Sequence, residues 1–156
     1  MAPTLNEMYL FAATVWHLAR REPMAAQQAL AWLIKCRALC ADRHNKVAGH
    51  SHPVFGDGSL SAACRSLART NHVPLQTIKP LEVGFADRDL CRSFSLACLV
   101  INNDVGDNIT GATHFHHHRQ EPAWSHGHRP VALIGSFFFY NTIDATKSAL
   151  DGAIRS

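Results

Sequence analysis

No stretch of this 156-residue chain is apolar for long enough to cross a membrane. The amino-terminal MAPTLNEMYLFAATVWHLARRE has neither the basic start nor the unbroken apolar block of an export signal, so synthesis without a signal peptide is expected. Cys-x-x-Cys pairs are also missing. The five cysteines, Cys36, Cys40, Cys64, Cys91 and Cys98, are odd in number and lack zinc spacing, which argues against a disulfide framework and for small buried apolar residues. Lysine is scarce, four against eleven arginines, and the formal charge is only +3 with no basic stripe or tail, so no nucleic-acid partner is expected. Internal repeats and low-complexity segments do not occur. What remains, 47% apolar and 17% charged residues, suits one domain over 1–156, with a core over about 5–140 and a short helix over 142–155. Eleven histidines hold a reserve of positive charge that appears below about pH 6.5.

The periodicity predicts mostly helix. Thr4-x-x-Glu7 has the form of a capping box, and Leu5, Met8, Tyr9, Ala12, Val15, Trp16 and Ala19 follow helical spacing to about Arg20. Glu22-Pro23 breaks that helix and opens a second, expected to run to about Ala41, so that the two make a corner. Residues 42–58, dense in Gly, His, Asp and Asn, read as a long surface loop. Asp57 or Ser59 caps a short third helix, Asn71 to Phe85 is irregular with room for one short strand, and Asp87 starts a fourth helix whose apolar face carries Leu90, Phe94, Ala97 and Ile101.

The stretch Gly111 to Tyr140, GATHFHHHRQEPAWSHGHRPVALIGSFFFY, changes period: two apolar or aromatic runs, Ala112–Phe115 and Val131–Tyr140, flank a polar segment, which predicts two strands joined by a long loop. The expected class is α+β, about four helices with a small antiparallel hairpin sheet. On a strand His114, His116 and His118 would share one face, and three imidazoles on one face could hold zinc, although no Asp or Cys completes the set.

Gly111-Ala112, Phe115, Pro122-x-Trp124, Ile134-Gly135 and Tyr140 resemble the carboxy-terminal half of the cell-wall hydrolase family that includes the spore-cortex-lytic enzymes. The segment Leu10 to Pro23 is similar to the same family's apolar helix running into Glu-Ala-Arg-Gly-Glu-Pro, and the second helix closes in Cys36-Arg37 where the family has Asn-Arg. The resemblance implies a lysozyme-like plan with a groove between the helical corner and the hairpin. It implies a glycan-strand hydrolase or lytic transglycosylase acting on peptidoglycan, without cofactor or resident metal. Such a protein would be made in the cytoplasm and act at the bacterial wall, or ride in a virion among other phage-particle proteins. It further implies that Arg20, His114, Phe115, His116, Trp124 and Tyr140 bind substrate, Trp124 by stacking on a sugar ring.

A lytic transglycosylase needs one carboxyl group, protonated to serve as general acid and then reused as base. The family's position for it is Leu18 here. Arg21 replaces the motif glycine, Cys36 the Asn before Arg37, and Phe137 a histidine after Ile134-Gly135. Glu22, one helical turn or roughly 6 Å further along, is placed first of all to cap the second helix with its carboxylate and is also a candidate substitute acid, with His17 a weaker one and Asp57 and Glu121 without motif support. Two alternatives to an active enzyme follow: a catalytically inactive relative that binds glycan or builds a phage-like particle, and a metal-binding protein using His114, His116 and His118.

Overall fold

In a computed structural model, which describes residues 2–71 and 87–155, the capping box at the amino terminus forms as the sequence predicts. The Glu7 amide donates to Thr4 Oγ1 at 3.1 Å and the Thr4 amide to Glu7 Oε1 at 3.3 Å, starting α1, Leu5–Ala19. The other Glu7 oxygen accepts from the Leu60 amide at 3.1 Å, so this carboxylate also serves the start of α3, Leu60–Thr70. Ser59 is the cap of α3, through the Ala62 amide, while Asp57 holds the Ser59 amide. Asp87 caps α4, Arg88–Ile101, by accepting from the Leu90 amide at 3.0 Å. The irregular stretch expected within 72–85 lies outside the described residues.

The second helix, α2, runs from Met24 to Ala48, about two turns beyond the expected end, so the first seven residues of the supposed loop are helical. Two interactions extend it. Lys46 pairs with Asp42 at 3.0 Å one turn away, and the Asn45 amide group donates to the Gly56 carbonyl at 3.1 Å. Gly49, at φ 77°, ends it in the left-handed conformation that favours glycine. α2 runs through the core: Ala29, Leu30, Leu33, Ile34 and Ala38 are fully buried among Phe11, Val15, Leu67 and Val100 from α1, α3 and α4.

Two cations are enclosed with it. Lys35 donates to the Val100 carbonyl at 2.9 Å and to Asn103 Oδ1 at 2.6 Å, so a side chain of α2 closes the carboxyl end of α4, whose own last turn carries no basic residue. Arg37, wholly buried, donates to the Thr113 carbonyl at 2.7 Å, Ser66 Oγ at 2.8 Å and Thr70 Oγ1 at 2.9 Å. Burial pulls its pKa down to about 9, and it stays charged at neutral pH while tying α2 to α3 and to the chain entering the sheet.

The sheet has three strands where two were expected. The run Val131–Tyr140 folds back at Gly135-Ser136, giving β2, Ala132–Ile134, and β3, Phe137–Tyr140; β1, His114–His117, pairs with the other side of β3, all antiparallel in the order β1-β3-β2. A two-residue turn with glycine first and φ of 57° suits the twist of a hairpin. A 3₁₀ turn, Ala123–Ser125, and a last helix α5, Ala145–Arg155, cover the outer face. Five helices and this sheet make the described fold α+β and mainly helical. Among the described residues no helix is long and apolar enough to cross a membrane.

Of the cysteines only Cys64 is fully buried; the others are half-buried, and all five are free thiols. Burial pushes the Cys64 thiol up to about 12 and the Cys36 thiol up to about 11, leaving both protonated at neutral pH.

Candidate functional site

The end of α1 and the turn into α2 place six consecutive side chains, His17 to Glu22, with different exposures. The Arg20 amide still donates to Trp16 O at 3.1 Å, and the Glu22 amide turns back to Ala19 O at 2.9 Å before Pro23 opens the next helix. Ala19 points into the core, whereas His17, Arg20 and Arg21 are exposed and Leu18 and Glu22 are half-buried. No side chain caps α2, so the capping role considered for Glu22 is not taken; its carbonyl accepts from Gln27 Nε2 at 3.1 Å instead.

The β2–β3 turn docks against this corner. An alanine Cβ built on Gly135 would stand 2.9 Å from Ala26 Cβ and 3.3 Å from Glu22 Oε2, which places the Glu22 carboxylate beside the turn. The contact brings Ser136, Phe137 and His117 opposite His17, Leu18, Arg20, Arg21 and Glu22, around a groove of about 510 Å³. Glu22 is the one carboxylate among its described lining residues. Both histidines are held below their ordinary pKa: His17 by partial burial and then by Arg20, and His117 by partial burial, then His118 and Arg119, with Glu22 pulling the other way. Near neutral pH each is a neutral imidazole, able to accept or to donate a hydrogen bond.

Register explains which strand residues reach the groove. His117 faces Phe137 across the ladder and Phe115 faces Phe139, so these four side chains lie on the sheet face toward the helices. His114 and His116 belong to the other face, with Tyr140 and Phe138. There His114, fully buried, contacts Ser148 Oγ of α5 at 2.9 Å through Nε2 and Thr113 Oγ1 at 3.0 Å through Nδ1. Burial, and then the nearby Arg37, pull its pKa down to about 2. His116 Nε2 is 2.8 Å from the Tyr140 hydroxyl. Trp124, only 5% exposed, packs edge-on to His114, His116 and Tyr140 and donates its indole N–H to Thr70 O.

Of the residues expected to act, Glu22, His17 and Arg20 therefore meet in the groove. His114, Phe115, His116, Trp124 and Tyr140 are instead buried in the sheet and its covering layer; Trp124 lines a separate small cavity beside α5. Asp57 and Glu121 are exposed away from the groove lining. β1 stops at His117, leaving His118 exposed in the following turn, so the expected three-histidine face does not form. Among the described residues no group of three or more His, Cys, Asp or Glu side chains is placed to hold a metal ion. Sequence reasoning missed His117 and Ser136; the signal was parity, since His117 lies an even number of residues from Phe115, whose face carries the core.

Residues 11–96, more than half of the chain, match a family described as Domain of unknown function (DUF7742). No curated protein and no solved structure matches the chain.

Proposed function

The chain belongs to the DUF7742 family, and we propose that it acts on peptidoglycan glycan strands, as a hydrolase or lytic transglycosylase whose groove between the helical corner and the sheet holds the strand. The observation that carries this reading is the single carboxylate among the described lining residues, Glu22, half-buried in an open groove that His17 and His117 also line. One carboxyl group suffices for transglycosylation, in which the same oxygen first protonates the leaving glycosidic oxygen and then takes the proton of the sugar's own hydroxyl. Glu22 is the group for both steps, and His17 and His117 are within the same cavity to hydrogen-bond the sugar. Three of the four positions where the chain departs from the resembled motifs, Leu18, Arg21 and Phe137, line this one groove, which supports a site respecified as a unit. Sites of action at the wall or in a virion belong to the same proposal.

The test is digestion of purified sacculi, with soluble products read by mass spectrometry. Release of anhydro-muropeptides or reducing muropeptides by the wild type, abolished in Glu22→Gln, is the expected result. The second reading, a glycan-binding relative without turnover, is favoured by one observation: Leu18, unable to transfer a proton, lines the groove at the position that the resembled cell-wall hydrolases give to their acid. It predicts that the wild type binds sacculi without releasing products and that Leu18→Glu gains activity.

A further inference from the structure

The mouth of the groove carries more positive charge than its one carboxylate offsets. Arg20 and Arg21 are both exposed there, and among the described residues neither forms an ion pair; the two pairs present are Lys46–Asp42 and Arg92–Asp89. Arg20 is nevertheless not a loose side chain. Its guanidinium carbon sits 4.3 Å over the Trp16 ring centroid, on an indole that packs against the core. The contact holds the guanidinium at the indole, and among the described residues no hydrogen bond uses its N–H groups, which leaves the fork free for a ligand. Across the groove His117 feels the charge of Arg119, so the hairpin side adds to the same field. Glu22 lies deeper, beside Gly135, and forms no ion pair with either arginine.

We infer that the groove recognises a carboxylate on its ligand, held by the Arg20 fork with Arg21 beside it. A planar anion matches the fork in two parallel hydrogen bonds, which a neutral sugar hydroxyl or an amide cannot do. The inference rests on the peptidoglycan reading for the identity of that group. In peptidoglycan the lactyl ether of the muramyl residue ends in a carboxylate only where the stem peptide has been removed, because the peptide is otherwise joined there as an amide. The stem peptide's own carboxylates lie further out along a flexible arm, whereas the lactyl carboxylate is held at the sugar ring. The preferred ligand is then a peptide-free glycan strand, with the peptide-bearing strands of sacculi still bound and cleaved but more weakly held. The reaction that supplies the preferred strand is hydrolysis of the lactyl-peptide amide.

Isothermal titration with three ligands tests this: peptide-free glycan strands, the same strands with their carboxylates converted to primary amides, and strands that keep their peptides. For the wild type the free acid is expected to bind at least about tenfold more tightly than either amide, the contribution of one charge-assisted bidentate pair in a solvated groove. In Arg20→Gln/Arg21→Gln the preference disappears; Arg20→Lys, which keeps the charge and loses the fork, retains only part of it. Equal binding of all three ligands by the wild type overturns the carboxylate preference and leaves the glycan reading standing. A preference that survives the double substitution overturns the assignment to these arginines. Binding of none of the three overturns both.

Discussion

Replacing Gly135 with alanine probes the contact that builds the groove. The cost has two parts. At φ 57° an alanine sits in the left-handed region, which costs about 1–2 kcal/mol. Its Cβ would also stand 2.9 Å from the Cβ of Ala26. That atom is fixed to a buried helix and has no rotamer by which to withdraw, so the turn or the helix must shift, at about 1–3 kcal/mol for overpacking. Gly135→Ala is therefore expected to destabilise by about 2–5 kcal/mol in urea titration at unchanged m-value. Gly127→Ala is the control: its φ is 79°, but a Cβ there meets nothing within 4 Å, so only the backbone part, about 1–2 kcal/mol, applies. Ala26→Gly alone costs about 1 kcal/mol as a helical glycine, yet on the Gly135→Ala background it removes the 2.9 Å clash and is expected to be neutral or stabilising. The reasoning is refuted if Gly135→Ala and Gly127→Ala cost the same, or if Ala26→Gly costs as much in the mutant background as in the wild type, since the turn would then not bear on the corner.

Two further perturbations follow from enclosed polar groups. The His114 imidazole, with a pKa of about 2 in the fold against 6.5 in the unfolded chain, takes up its proton on unfolding anywhere between those values. The unfolded state thus binds more protons below pH 6.5, and stability is fully present above that pH and lost as the pH is lowered beneath it, at a limiting slope of about 1.4 kcal/mol per unit for this one group; urea midpoints from pH 7.5 down to 5 measure it, His114→Gln should flatten the dependence, and a profile unchanged by that substitution counts against it. Lys35→Met removes the cation that holds the last carbonyls of α4 and Asn103. A loss of about 2–3 kcal/mol is expected, with faster amide exchange in the last turn of α4; a substitution that is neutral in urea titration would show that solvent satisfies those carbonyls equally well.

Much of the helical framework was legible because its signals are local. Thr4, Glu7, Ser59, Asp87 and Pro23 mark helix starts by chemistry that acts within one turn, and each sits at or beside a start in the fold. The end of α2 was not legible. Residues 42–48 have no apolar period, and what keeps them helical is an exposed ion pair together with Asn45 reaching the Gly56 carbonyl, an interaction that exists only after the chain has turned back. The site divides in the same manner. Arg20 and Glu22 could be read from a contiguous motif, and His17 from its place beside them. The strand residues could not, because His114, Phe115 and His116 are all buried and so both faces of β1 are covered. Alternation then says which residues share a face without saying which face meets the helices, and Trp124 and α5, which enclose the histidines, come from parts of the chain with no sequence link to them.

The shared carboxylate of Glu7 has a consequence for motion. Its two oxygens hold amides at positions 4 and 60, so the opening turns of α1 and α3, far apart along the chain, are joined through one side chain in addition to their own caps. An opening of α1 that carries Glu7 with it withdraws Oε2 from the Leu60 amide as well as Oε1 from the Thr4 amide. Local opening of the amino-terminal turn, which in most chains loosens by itself, is therefore coupled to the head of α3 wherever it moves Glu7.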